Sequence, residues 1–234
     1  DFDADGATSS ALTVLALRML GSSNVDYLVP NRFEDGYGLS PEVVEQAIEL
    51  GAEVIMTVDN GVSSIEGVRF AKEKGLEVLV TDHHLPGNEL PMVDAMVNPN
   101  LESCAFPSKA LAGVGVAFYL MMALCVHMRK LGWFAQHGMT EPKLMELIDL
   151  VALGTVADVV PLDENNRILV HQGLQRIRAG KARPGIQALI EIAKRGAKRL
   201  VASDFGFALG PRINAAGRLD DMSFGVELLM SNNI

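Results

Sequence analysis

Short apolar runs rich in β-branched residues alternate with helix-length spans through the first hundred residues, and this alternation constrains the fold more than any other feature. Glu53 to Val58, Leu76 to Thr81 and Val93 to Val97 read as strands, with Val25 to Val29 as a further short one. Between them lie predicted helices: Thr8 to Leu20, closed by Gly21; Pro41 to Leu50, with Ser40 at the N-cap and Pro41 at N1; and Ser63 to Lys74, ended by Gly75. Strands separated by helices of this length pair in parallel through right-handed crossovers. The predicted class is α/β, a parallel sheet flanked by helices. From Lys109 onward the pattern turns helical: Ala110 to Leu131, Pro142 to Leu153, Asn165 to Ala179, Pro184 to Lys194 and Ser223 to Met230. The expected division is an α/β unit over 1–164 and a helical, basic extension over 165–234.

Composition narrows the class further. Of the 234 residues, 49% are hydrophobic, enough apolar surface to offset the ordering entropy, so disorder is excluded. The most apolar stretch, Ala110 to Met128, contains Tyr119 and His127 and runs into Arg129 and Lys130, which reads as a buried helix rather than a membrane span. Met121, Met122 and Met128 within it are core filler. Cys104 and Cys125 come with no signal peptide and no pairing framework, so the expectation is two packed thiols in a reducing cytoplasm. The chain opens at Asp1 directly on an acidic motif and is expected to be part of a longer protein.

Charge is strongly segregated. Residues 1–166 hold 24 of the 29 acidic side chains and 9 of the 20 basic ones, whereas 167–218 hold 11 basic residues against only Glu191 and Asp204. A polyanion partner for the second segment is one reading and a solvated helix face the other.

The unusual residues cluster where apolar runs end. Asp1, Asp3 and Asp5 stand in DFDADG before the first helix; Asp59 follows a strand in VDNG; Asp82, His83 and His84 follow another in TDHH; Asp158 stands in GTVADVVPL. In parallel sheets, ligands bind beyond the carboxyl ends of the strands, so these groups converge on one edge. So many carboxylates repel one another unless a cation cancels their charge. Aspartate and histidine without cysteine favour Mn²⁺ or Mg²⁺, with Zn²⁺, Fe²⁺ and Co²⁺ as competitors, and two such ions about 3.5–4 Å apart would support phosphoryl transfer. Leu12, where an EF-hand needs Glu at its twelfth position, argues against a calcium loop. VDNG by itself is also an ordinary turn. Gly113 and Gly115 in AGVGVAF lack a dinucleotide fingerprint and serve either close helix packing or cover over a phosphate. His127, His137 and His171 read as structural, and Phe205, Phe207 and Phe224 as core rather than base-stacking platforms.

Taken in order, DFDADG, VDNG, TDHH and GTVADVVPL resemble the four metal-site motifs of the DHH phosphoesterase superfamily, and GPRINAAGRLDD with NRFEDGYGL resembles its RecJ branch of single-strand-specific exonucleases. The resemblance implies hydrolysis of single-stranded DNA from 5′ to 3′ with two ions of Mn²⁺ or Mg²⁺, in recombination and repair. It implies metal ligands at Asp3, Asp5, Asp59, His83 and Asp158; the further expectation, beyond the resemblance, is that Asp59 bridges the ions, with Asp5 a second candidate bridge. Catalytic roles fall on Asp59, His83, His84 and Asp158, His84 at the scissile phosphate, with Asp1 and Asp82 in support. Arg32 would grip a 5′-terminal phosphate, and Arg212, Asn214 and Arg218 would line the substrate path. A strand before Asp1, further C-terminal domains, and a single-strand binding protein and a helicase as partners are likewise implied. Two rivals stand beside this: a relative hydrolysing a small phosphate substrate or pyrophosphate, and a catalytically inactive single-strand-binding module.

Overall fold

The computed structural model describes residues 2–30, 37–219 and 222–233, with the backbone alone over 216–219. In chain order the elements are α1 (Ala4–Met19), α2 (Pro41–Glu49), β1 (Val54–Val58), α3 (Ile65–Glu73), β2 (Glu77–Thr81), β3 (Ala95–Val97), α4 (Gly113–Lys130), α5 (Trp133–Gln136), α6 (Ile148–Ala157), α7 (Glu164–Arg178), α8 (Pro184–Ile192), α9 (Ala202–Asp204), α10 (Gly210–Leu219) and α11 (Ser223–Met230). Two 3-10 turns, Leu144–Leu147 and Ala197–Arg199, and a π-helical turn, Phe205–Leu209, complete the chain.

The sheet is parallel in the order β1-β2-β3, with Val54 opposite Glu77, Val58 opposite Thr81, and Thr81 opposite Val97. That register ends β1 and β2 at the same level, so Asp59 and Asp82 leave the sheet side by side. The expected strand at Val25 to Val29 does not form. This extended segment stands across a cleft of about 550 Å³ from β1 and forms no ladder with it. β-branched composition makes a strand only where a neighbour lies at ladder spacing, about 4.8 Å away.

Two helices are buried almost all round and form the middle of the molecule. In α1, Ala4, Ala7, Ala11, Leu12 and Ala16 are buried, and the small alanines let α4 and α6 approach closely. In α6 every residue from Ile148 to Thr155 is buried, including Asp149, whose carboxylate accepts the N–H of Arg183. One apolar core runs from α1, α4 and α6 into α7, α8 and α11, and a smaller one lies between the sheet and α2 and α3. Burying Leu12, Leu150 or Leu153 contributes about 1.5–3 kcal/mol each. Cys125 is buried and Cys104 half-buried, and both are free thiols. Among the described residues no helix is long and apolar enough to cross a membrane.

Helix boundaries differ from the sequence reading where a cap was hidden. α1 begins at Ala4 rather than Thr8, because Asp3 Oδ1 accepts the N–H of Gly6 and caps the helix through the acidic motif itself. α4 begins at Gly113 with Ala112 at its N-cap position, where no side chain can bond. The predicted helix over Pro142 to Leu153 divides into the 3-10 turn and α6, and α6 runs on to Ala157. α8 ends at Ile192, short of Lys194, whose φ is +54°.

Candidate metal centre

Four chain segments deliver the acidic and imidazole groups to one place. The first turn of α1 supplies Asp5, the turn after β1 supplies Asp59, the turn after β2 supplies His83 and His84, and the C-cap of α6 supplies Asp158. A carboxylate at a helix C-terminus opposes the helix dipole, so Asp158 is not placed there for the stability of α6.

His83 is the hub. Its Nε2 lies 3.1 Å from Asp59 Oδ1, 3.6 Å from Asp158 Oδ2 and 3.9 Å from Asp5 Oδ2. Asp59, His83 and His84 each offer a ligand atom within 4.8 Å of the others, and so do Asp5, His83 and Asp158. Asp59 Oδ1, His83 Nε2 and Asp158 Oδ2 are buried without a hydrogen-bond partner. Orphaned buried polar atoms are costly, and two carboxylate oxygens facing one imidazole nitrogen, in two ligand groups that share His83, fit divalent cations.

The titration behaviour has the same origin. Burial, then the nearby Asp3, push the Asp5 carboxyl up to about 6 against the pull of the Val114 N–H. Burial, then Asp5 and Asp3, push Asp158 up to about 8. Burial and Asp5 hold Asp59 well above the ordinary carboxylate range. Burial and the neighbouring His84 ring hold His83 below its usual value, keeping the imidazole neutral as a metal ligand must be.

The surrounding backbone fixes each group. Asp5 accepts from the N–H of Gly113 at 2.6 Å and of Val114 at 2.9 Å, so it caps α4 from outside that helix. This identifies the role of the AGVG glycine: a Cβ at Gly113 would lie 2.5 Å from Asp59 Cβ and Oδ1. Asp59 itself has φ +59°, a left-handed conformation held by Thr57 Oγ1 donating to Asn60 O and Asn60 Nδ2 donating to Val58 O. Strain of this kind clusters at functional sites.

Asp82 is fully engaged in support. Its Oδ1 accepts from His83 N, His84 N and His84 Nδ1, and its Oδ2 from Val62 N. Burial raises this carboxyl, but the His84 ring and the N–H groups of Val62 and His84 outweigh it and leave it below its usual value. The same hydrogen bond raises His84 and fixes its proton on Nδ1. Asn98 Nδ2 donates to His84 O at 2.9 Å and Asn100 Nδ2 to His83 O at 2.5 Å, holding the histidine backbone.

Other expected site residues are distributed less closely. Asp3 lies outside both ligand groups and is bonded as the α1 cap. Asn214 Oδ1 accepts from Ala4 N at 2.7 Å, so α10 is tied to the acidic turn itself. Arg212 donates from Nη1 to Ala208 O. Asp1, Arg32 and the side chain of Arg218 lie outside the described residues.

Three groups went unnoticed in the sequence. Tyr37 stands edge-on to His84, ring centroids 6.4 Å apart, and to Phe2 at 5.9 Å. Burial and then Asp59 and Asp82 raise its hydroxyl further, so it stays protonated above the carboxylates. Its position in NRFEDGYGL was the available signal. Asn98 and Asn100 gave none, because they act only on backbone carbonyls. The expectation that Phe205, Phe207 and Phe224 are core holds for Phe205 alone; Phe207 is 85% exposed and Phe224 65%.

Comparisons with known proteins find relatives over the whole chain. The chain is 73% identical over 234 residues to the single-stranded-DNA-specific exonuclease RecJ of Dickeya dadantii (strain 3937) and 69% identical to that of Escherichia coli (strain K12). In both cases all of this chain is covered but only 41% of the relative, so the chain spans about two fifths of their length. Among solved structures, an exonuclease RecJ bound to manganese superposes with a TM-score of 0.82 at 38% identity, covering 99% of this chain and 55% of that one. RecJ from Thermus thermophilus in complex with Mn²⁺ gives a TM-score of 0.79 at 35% identity, covering 100% of this chain and 31% of that one. The model of the DHH family, N-terminal domain, matches residues 1–155, the stretch that supplies Asp5, Asp59, His83 and His84, and the chain belongs to that family.

Proposed function

We propose that this chain carries the active site of a metal-dependent exonuclease that hydrolyses single-stranded DNA from the 5′ end, working in the cytoplasm in recombination and repair. The observation that carries the reading is the set of three buried, unpartnered atoms, Asp59 Oδ1 and Asp158 Oδ2 both facing His83 Nε2, at the ends of two parallel strands and a helix. High identity to RecJ exonucleases and superposition on manganese-bound RecJ support the choice of Mn²⁺ or Mg²⁺ and of substrate.

In this reading Asp5, Asp59, His83 and Asp158 hold the cations, with Asp3 completing the acidic shell. When bound, the divalent pair neutralises the carboxylates, lowers the pKa of a water and stabilises charge on the phosphate oxygens. The protein's own part is positioning. Asp59 is fixed by its left-handed turn and Asp5 by the α4 N-terminus. His84, its Nδ1–H held by Asp82, presents Nε2 to the scissile phosphate. Tyr37, edge-on to His84, keeps its proton and so offers a hydrogen-bond donor to substrate beside the acidic pocket. Residues 1–164 supply this centre and 165–234 extend it with basic surface; Arg32 grips a 5′-terminal phosphate, Arg212, Asn214 and Arg218 line the substrate path, and Asn214 ties α10 to the acidic turn. A single-strand binding protein and a helicase are the expected partners.

The test is release of nucleotides from single-stranded DNA labelled at either end, by the full-length protein in Mn²⁺, with Asp59→Ala as control. Mononucleotides leaving only from the 5′ end, and only with Asp59 present, bear out both site and polarity. Cleavage confined to very short or small phosphate substrates favours the small-substrate relative, and binding without cleavage favours the inactive module.

A further inference from the structure

Two exposed apolar side chains stand on adjoining turns near Asp158, one next to it in sequence and one on a turn packed against the end of α6. Val159, next in sequence, is 84% exposed and has φ +64°, a left-handed conformation that is a marked outlier for a β-branched residue. Phe207 is 85% exposed within a π-helical turn whose Phe205, Ala208 and Leu209 are buried. The two turns adjoin. A Cβ on Gly206 would lie 3.5 Å from Val156 Cγ1 and 3.7 Å from Val156 O, and that carbonyl accepts the N–H of Val159 at 3.2 Å. Two local irregularities, a π-helical turn and a left-handed valine, thus adjoin, and each carries a hydrophobic side chain exposed to solvent. Irregularities of this kind recur at functional sites.

We propose that Phe207 and Val159 form an apolar shelf beside the metal centre against which bases of the single strand stack as its phosphates pass toward Asp158. The inference rests on the single-stranded-DNA reading of the site and adds the residues that grip bases. Charge selects this occupant. Arg212 reaches back to Ala208 O, adjacent to Phe207, and residues 167–218 carry 11 basic side chains against two acidic ones. A polyanion whose bases are unpaired matches a surface that offers an aromatic face and guanidinium groups together. Duplex DNA, with its bases stacked on one another, gains nothing from such a shelf.

The experiment uses the full-length protein in Mg²⁺ with two single-stranded probes of equal length, both with nuclease-resistant phosphorothioate linkages: oligothymidylate and its abasic counterpart. Fluorescence anisotropy gives the affinity for each. The wild type should prefer the base-bearing probe. Phe207→Ala should weaken that probe by about 5- to 150-fold, the range for loss of one stacked base, and leave the abasic probe unchanged. Phe207→Trp should keep the preference, and its added emission should be quenched by oligothymidylate but not by the abasic strand. Val159→Gly should raise the melting temperature by relieving the left-handed strain and reduce the preference.

Equal loss on both probes, or no loss on either, overturns the shelf. A Phe207→Ala variant that melts lower with its preference intact also overturns it, and shows Phe207 packing against other protein. If Phe207→Ala does not fold, an unquenched Phe207→Trp overturns the proposal by itself. A wild type that binds both probes alike overturns the shelf and spares the site reading, whereas a wild type that neither binds nor degrades single strands removes both.

Discussion

A Cβ on Gly113 would lie 2.5 Å from the Oδ1 of Asp59, so helix α4 can begin where it does only because residue 113 has no side chain. The same residue's N–H donates to Asp5, and one backbone position therefore sets two carboxylates of the centre. Gly113→Ala should fold, since alanine favours a helix, but it must displace Asp59. We expect Mn²⁺ affinity of the full-length protein to fall by about 10–100-fold, the usual cost of disturbing the support of a metal ligand. Calorimetric titration with Mn²⁺, beside an unchanged circular dichroism spectrum, checks this.

Asp59 combines a left-handed backbone with a carboxyl pushed well above its ordinary range by burial and by Asp5. Asparagine tolerates that backbone and removes the charge. Metal-free Asp59→Asn should therefore melt higher than wild type at pH 8, by roughly 2–4 °C for each kcal/mol of relieved repulsion, while its turnover is lost. A lower melting temperature would show that the carboxylate stabilises the empty site.

The pH dependence of the metal-free protein follows from Asp5 at about 6 and Asp158 at about 8, both above the 3.8 of an unperturbed aspartate. A raised acid binds its proton more tightly in the folded state, so its stabilising contribution is complete below the unfolded value and is lost as pH rises through the folded one. Between pH 6.5 and 8.5, where Asp158 titrates, the melting temperature in chelator should fall. Cations require the ionised carboxylates, so the rise in melting temperature on adding saturating Mg²⁺ should grow over the same interval. Thermal scans with and without Mg²⁺ read both slopes.

Asp82 accepts four hydrogen bonds, three of them from His83 and His84. Asp82→Asn removes the charge that raises His84 and leaves an amide where an acceptor is needed. We expect kcat to fall by about 10–100-fold with little change in KM, and the acidic limb of the kcat profile to move to lower pH as His84 loses its partner. An unaltered pH profile would confine Asp82 to holding the turn.

The basic extension predicts salt dependence. If residues within 167–218 contact phosphates, binding of single strands should weaken steeply with salt, and each contact removed should reduce the slope of log affinity against log salt by about 0.7. Lys198→Ala and Arg199→Ala, both on a short 3-10 turn, are suitable single changes. An unchanged slope would mark them as solvated surface.

The order of strands and helices, the α/β class and the acidic and histidine motifs were legible because they depend on local periodicity and on residues at the ends of apolar runs. Ser40 and Pro41 announce α2 in the sequence, and VDNG and TDHH mark strand ends whatever lies beyond them. Where a partner is distant in the chain, sequence patterning gave no notice. Val25 to Val29 has strand composition but stands across a cleft from β1. α4 is capped by Asp5, more than one hundred residues earlier. Phe205 and Phe207 are two positions apart with the same side chain and so face opposite sides of a helical turn, and the packing of that turn on α6 decides which is buried and which is in solvent. Sequence by itself determined which groups could bind a cation, since that is a matter of chemical type. Only the tertiary structure decided that Asp59, Asp158 and His83 leave their atoms unpartnered while Asp82 spends its own on hydrogen bonds, because burial and pairing depend on what packs against each group.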